Sequence, residues 1–235
     1  MIIPAISYGF GNENRYNLPQ IPESIQLALY KYDLYMQYRS ELWESVIEND
    51  VKVQTVHLPI DALRRDFDTI FQIIVDGLQH SGCTHYVVHP NKGIKEFIDN
   101  FLATKLNVKL CVENFQWRTN KVYRTPLYIA ERIMQDENLS MTFDTTHSED
   151  VWFDHRILPF ILKHTSVIHL SNRAKGKGVG QHMPFTAPNG SLNLVKFARE
   201  LKYKYHWSGI VVLEYMEEYQ DKLLKNYSYL KRLIS

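Results

Sequence analysis

Met141-Thr142-Phe143-Asp144-Thr145-Thr146-His147 reads as a strand that ends in a carboxylate, with a histidine three residues beyond it. An apolar and β-branched run this short suits a parallel strand buried on both faces. The same punctuation recurs on either side. Upstream, Lys109-Leu110-Cys111-Val112-Glu113 ends in a carboxylate, Tyr86-Val87-Val88-His89 in a histidine, and Val53-Gln54-Thr55-Val56-His57 in another. Downstream come Val167-Ile168-His169 and Val211-Val212-Leu213-Glu214. Successive members of this set are 32, 24, 31, 25 and 45 residues apart. A strand, a helix and two short connections take roughly 25–35 residues, so a polar end recurs about once per βα unit. In a closed parallel barrel all strands point their C-terminal ends at one face, where barrel active sites sit. The pattern therefore predicts a (β/α)8 TIM barrel with His57, His89, Glu113, Asp144, His169 and Glu214 in one bowl.

Eight strands complete that count: Ile2–Ser7, Ile25–Tyr30, Val51–His57, Thr84–His89, Val108–Glu113, Ser140–Asp144, Ser166–Leu170 and Gly209–Glu214. Helices are expected at Asp33–Glu48, Asp61–His80, Thr125–Glu137, Asp154–His164, Ser191–Tyr203 and Glu218–Leu233, with Leu63, Phe67, Ile70, Ile74 and Leu78 marking one apolar face. Gly9–Pro22 is rich in Asn, Gly and Pro, so the first helix is expected to be degenerate. With no linker or low-complexity tract, residues 1–235 are expected to form one domain.

Bulk properties narrow the function. With 27 basic and 26 acidic residues the formal charge is +1, which exerts no global pull on nucleic acid or an anionic membrane. No apolar run reaches the ~18 residues of a membrane span, and the first residues lack a charged, then apolar, leader pattern. Cys83 and Cys111 lie in separate strands without a CxxC, as expected of reduced thiols. These features predict a cytoplasmic protein without a membrane partner.

Carboxylates gathered in one bowl would repel one another, and one would take up a proton. A divalent cation removes that cost, and a mixed imidazole and carboxylate set suits Zn, Mn or Fe better than Ca. A lone histidine ending a strand commonly just bonds a carbonyl; six polar ends on successive strands are not explained that way. His80, His85, His155, His164 and His206 lie in helices, loops or strand starts and are expected to be structural.

The motifs VHLP, VVHP, VEN, FDTTH, IHLSN and VLEY, in this order between about Val51 and Tyr215, resemble the xylose-isomerase-like barrel superfamily. That group holds sugar isomerases, ketose 3-epimerases and endonuclease IV-type abasic-site nucleases. The resemblance implies a core metal held by Glu113, Asp144, His169 and Glu214. In the nuclease branch it implies a second ion on His57, His89 and Glu113, and a third that uses His147, His182 and an aspartate whose position here is Gly180. It therefore implies one to three ions of Mn, Zn, Co or Mg.

Asn114 and Trp117, just after Glu113, are expected to meet substrate, with Phe115 beside them. Arg173, Lys175 and Lys177 alternate with Gly176, Gly178 and Gly180 and would suit a phosphate, of a sugar phosphate or of DNA. The resemblance makes the leading expectation a metal-dependent isomerase or epimerase of a small sugar or sugar phosphate, and implies that Glu113 and Glu214, matching the two metal-bound glutamates of the resembling epimerases, transfer a proton through a metal-stabilised enediolate. The first alternative is an abasic-site phosphodiesterase, for which DNA would be the partner. The second is a binding protein that keeps the metal and lacks turnover.

Overall fold

Each strand alternates between two apolar environments, and that alternation builds the molecule. The computed structural model describes residues 1–10, 23–114, 129–131, 136–148, 150–174 and 181–235. Its strands are β1 (Ile2–Phe10), β2 (Ser24–Leu29), β3 (Lys52–His57), β4 (His85–Val88), β5 (Lys109–Glu113), β6 (Leu139–Asp144), β7 (Thr165–His169) and β8 (Gly209–Leu213). All neighbours pair in parallel, in chain order, and β8 closes on β1. Ala5, Val87, Cys111, Val167, Ile210 and Val212 form a small apolar cluster of their own inside the ring. Residues of opposite parity, such as Val56, Tyr86, Val112, Phe143, Ile168 and Val211, join the larger core under the helices. A strand repeats its facing every two residues. Cys111, Val167 and Val212 therefore place Glu113, His169 and Glu214 one step higher on the same inner face.

The helices differ from expectation mainly at their starts. Asp33–Glu48 is two helices, α1 (Tyr32–Gln37) and α2 (Arg39–Glu48), broken at Tyr38. The break lets Tyr35 and Arg39 both reach Asp76 of α3 (Phe67–Ser81), which also accepts from Gln72 Nε2 at 2.9 Å, while Trp43 donates to the Tyr35 hydroxyl at 3.2 Å. Ala62–Arg64 is a separate 3-10 turn, because the Asp66 side chain accepts from Thr69 N and starts α3 there. A helix absent from the sequence reading, α4 (Ile94–Ala103), begins after Gly93, whose φ of 97° turns the chain into it. The later helices are α5 (Leu158–Lys163), α6 (Leu194–Tyr203, with the Asn193 side chain as cap) and α7 (Leu223–Ile234), which follows a 3-10 stretch at Glu217–Lys222. The crossover at 11–22 and most of the expected helix Thr125–Glu137 lie outside the described residues. No described helix is long and apolar enough to cross a membrane.

Asp76 is fully buried, so its removal is informative. Asp76→Ala leaves the Tyr35 hydroxyl and the Arg39 guanidinium without their shared acceptor, and should cost about 3 kcal/mol. Urea unfolding would check it; a loss within experimental error would mean the three helices are held by packing alone.

Candidate metal centre

The six strand-end residues converge. Glu113 Oε2 lies 3.1 Å from His57 Nε2, 3.4 Å from His89 Nε2 and 3.7 Å from His169 Nδ1. His169 Nδ1 stands 3.6 Å from Asp144 Oδ2 and 2.8 Å from Glu214 Oε2. His147 Nε2 is 3.9 Å from Asp144 Oδ2, and His182 Nδ1 is 4.0 Å from the same oxygen. Three ligand groups result, each with donor atoms within 4.8 Å of one another: His57, His89 and Glu113; Glu113, Asp144 and His169; Asp144, His147 and His182. Glu113 and Asp144 each belong to two groups.

Several of these side chains are oriented for ligation. His169 Nε2 is 3.0 Å from Gln26 Oε1, an acceptor only, so Nε2 carries a proton and Nδ1 is the nitrogen turned toward the carboxylates, where a cation would be ligated. His57 Nδ1 likewise faces Leu58 O at 2.9 Å, leaving Nε2 for Glu113's side of the bowl. Asp144 Oδ1 accepts from Thr146 N, Thr146 Oγ1 and His147 N at 2.6, 2.7 and 3.0 Å, which fixes the carboxylate and the FDTTH turn together. Its other oxygen, Oδ2, is buried without a hydrogen-bond partner, and the buried His169 Nδ1 faces it across 3.6 Å, with Glu214 Oε2 2.8 Å from that nitrogen. Buried carboxylate oxygens are rarely left so. An unpaired oxygen beside an imidazole nitrogen, among further carboxylates and imidazoles, fits a divalent cation.

The charges agree. Burial alone would raise the carboxyl groups, but the imidazoles outweigh it. They hold Glu113 well below the usual carboxylate range, Asp144 below it too, and Glu214 down to about 2, with His169 foremost for Glu113 and Glu214. Burial would lower His169 and His57, but Glu214 and Glu113 raise the first and Glu113 the second. His89 goes down, because burial prevails there. Two buried carboxylates and the part-buried Glu214 thus demand positive charge among them, which protonated histidines or a cation can provide.

The remaining expected residues are placed differently. Asn114 is wholly buried: its amide donates to Asp144 O and Ser148 Oγ at 3.0 and 3.1 Å and accepts from Asp144 N at 2.7 Å. It clamps the ends of β5 and β6 and has no surface left for substrate. Arg173 donates to the carbonyls of Thr146 and Ser148 and so braces the same turn. His182 holds a φ of 31°, sparse for a side-chain-bearing residue, and its carbonyl accepts from Met216 N at 3.1 Å. Trp117, Lys175 and Gly180 lie outside the described residues, as do Phe115 and Lys177.

The sequence reading missed Gln26. An amide in Ser24-Ile25-Gln26-Leu27-Ala28-Leu29, on the inner parity of an otherwise apolar strand, was its only signal. Gln26→Leu keeps the volume and removes the acceptor on His169 Nε2. Metal affinity should fall about 10–100-fold, as for other second-layer partners of ligating histidines. A competitive chelator titration measures this; unchanged affinity would show that packing alone orients the ring.

Above the ligands opens a cavity of about 240 Å3, with Tyr30, Ile60 and Met216 exposed at its mouth. The closed parallel barrel with this bowl at its C-terminal face has the fold of the xylose isomerase-like TIM barrel proteins. Among solved structures the chain is similar to a D-tagatose 3-epimerase-like protein, at 16% identity and TM-score 0.69, over 90% of this chain and 88% of that one. It is also similar to the 3-keto-D-glucoside 4-epimerase YcjR from E. coli, at 14% identity and TM-score 0.68, over 99% and 100%. A third is IOLI protein with a bound zinc atom, at 14% identity and TM-score 0.59, over 90% and 86%. No protein-family model matches the chain, and no curated protein sequence matches it.

Proposed function

We propose that this protein is a divalent-metal-dependent isomerase or epimerase of a small sugar or related polyol. The observation that carries the reading is the pair Glu113 and Glu214, which reach His169 Nδ1 at 3.7 and 2.8 Å from different strands and both line the 240 Å3 cavity. Glu113, Asp144, His169 and Glu214 would hold the metal, which supplies a Lewis acid for the carbonyl and hydroxyl oxygens of the sugar.

The chain's own groups then move the proton. One glutamate accepts it from the carbon beside the carbonyl, and the electron pair shifts toward the carbonyl oxygen. The other glutamate gives a proton back, so the composition of the sugar is unchanged and only its configuration or carbonyl position differs. Both carboxyls are held ionised before reaction, so either can accept; the donor first takes up one proton from solvent and the acceptor afterwards releases one to solvent, which returns both glutamates to their starting state. Glu113 is almost wholly enclosed while the Glu214 side chain is 14% exposed, so solvent reaches the pair from the Glu214 side and the substrate carbon acquires a solvent hydrogen. His147 and His182 stand beside Asp144 and would meet sugar hydroxyls. Two solved structures similar to this one are described by epimerase names, in keeping with the reading.

A phosphodiesterase is the second reading, favoured by the two further ligand groups, His57–His89–Glu113 and Asp144–His147–His182. One experiment separates them. A panel of ketoses and ketose phosphates is followed by NMR in deuterated water with Mn or Co, beside an abasic-site duplex with Zn. Exchange of a carbon-bound hydrogen supports the isomerase. Duplex cleavage that falls steeply with salt, without exchange on any sugar, would replace it with the nuclease.

A further inference from the structure

A second cavity, of about 500 Å3, opens between residues 183–189, which follow β7, and one side of α7. Among the described residues it shares no lining side chain with the metal cavity. Lys225, Tyr229 and Arg232 follow one another at steps of four and three, so they form one row along the helix, with Lys222 one turn before them. The loop is tied to this helix by named contacts. Asn226 Oδ1 accepts from Thr186 Oγ1 at 2.7 Å, the Phe185 ring stacks on Tyr229 with centroids 6.0 Å apart, and Phe185 N donates to the Tyr215 hydroxyl at 3.1 Å. The walls are thus set by the protein's own bonds.

Every charged side chain on those walls is a cation: Lys222, Lys225 and Arg232, with no carboxylate among the described lining residues. The nearby acids are accounted for. Asp221 pairs with Lys222 at 2.5 Å, and Glu217 and Glu218 are exposed on the preceding 3-10 stretch; none of the three lines the cavity. Lys225 and Arg232 make no ion pair among the described residues. The Arg232 guanidinium stands 5.9 Å from the centre of the Tyr229 ring, which draws it back toward Lys225. Helix α7 has no acidic residue in its first turn and no side-chain cap, so its own positive end adds to the same sign.

Asn226 supplies the directional group. It lines the cavity although only 5% exposed, and its amide nitrogen donates one hydrogen to Lys222 O at 2.9 Å and keeps the second. Two uncompensated cations beside a buried amide donor select an anion with several acceptor oxygens. A single carboxylate would leave one cation unmatched, whereas a phosphate monoester carries about 1.5 to 2 negative charges near neutral pH. The space exceeds what a phosphate alone fills and falls in the ~300–1,000 Å3 range of small-molecule sites, with Pro184, Pro188 and Tyr219 as flat apolar wall. We propose that this cavity binds an organic phosphate monoester with a flat body, of the kind a mononucleotide presents. Its phosphate would rest at Lys225, Arg232 and Asn226, and its body against the prolines and Tyr219. The site stands apart from the reaction at the metal centre and does not depend on it.

Binding is the readout. Adenosine 5′-monophosphate, adenosine and inorganic phosphate are titrated calorimetrically into the magnesium-loaded protein. The nucleotide should bind at least about tenfold more tightly than either adenosine or inorganic phosphate. Lys225→Gln and Arg232→Gln change exposed side chains, so the fold is kept; each should weaken the nucleotide about tenfold and leave adenosine unaffected. A nucleotide no tighter than adenosine would overturn the site. An advantage that survives both variants would do the same, because the phosphate would then sit at the metal. Inorganic phosphate as tight as the nucleotide would reduce the cavity to a general anion patch. A short single-stranded oligonucleotide that binds more tightly than the mononucleotide, and loses that affinity in both variants, would replace the proposal with a nucleic-acid surface.

Discussion

Glu113→Gln and Glu214→Gln should each slow hydrogen exchange at the substrate carbon by at least about 10²–10⁴-fold, the usual share of general acid–base catalysis. Glutamine keeps the size and one ligating oxygen of glutamate, but its amide neither takes nor returns a proton at neutral pH. The two variants should also differ in kind. Glu113 lies among His57, His89, His147 and His169, so its loss removes a charge that four imidazoles share. Among the described residues Glu214 pairs with His169 and His182, fewer imidazoles than Glu113, so more metal should be retained without it. Exchange measured by NMR in deuterated water, at saturating metal, separates the chemistry from the loading. Exchange at the wild-type rate in either variant, with metal bound, would remove that glutamate from the proton path.

Chelation should lower the melting temperature by roughly 8–16 °C. An ion present at about 1,000 times its dissociation constant stabilises the folded state by about 4 kcal/mol, and a domain of this size shifts by about 2–4 °C per kcal/mol. Asp144→Asn should erase most of that difference. The asparagine oxygen can still accept from Thr146 N and His147 N and keep the turn, while the charge facing His169 is gone. Calorimetry of wild type and variant, each with and without chelator, gives the four values needed. A wild-type melt indifferent to chelator and to added Mn, Zn, Co and Mg would refute the metal centre.

The strand ends were legible because strand periodicity exposes them. After an inner-face Cys111, Thr142, Val167 or Val212, a charged or imidazole side chain two residues on is improbable for a core and informative for a site. Gln26 carried the same parity but no charge, and it lies within a strand, so its tie to His169 emerged only from the closed ring. Asn114 and Arg173 were placed near the site by sequence, yet their partners are largely backbone carbonyls of the Asp144 turn, whose directions no residue type encodes. The break between α1 and α2 was hidden for a related reason. It serves Asp76, nearly 40 residues further on, and no local preference at Tyr38 announces it.

The inner-face ladder also ties chemistry to folding order. The candidate ligands run from His57 on β3 to Glu214 after β8, and Gln26 bonds to one of them from β2. No half of the ring holds the complete set, and a slip of one residue in any contributing strand would turn its ligand toward the helices. Nascent chain and partly closed intermediates therefore lack the full centre, whatever the cation concentration around them. An ion that recognised only the finished ring, and so was absent from the transition state, would leave the speed of folding alone and lengthen the lifetime of the folded molecule.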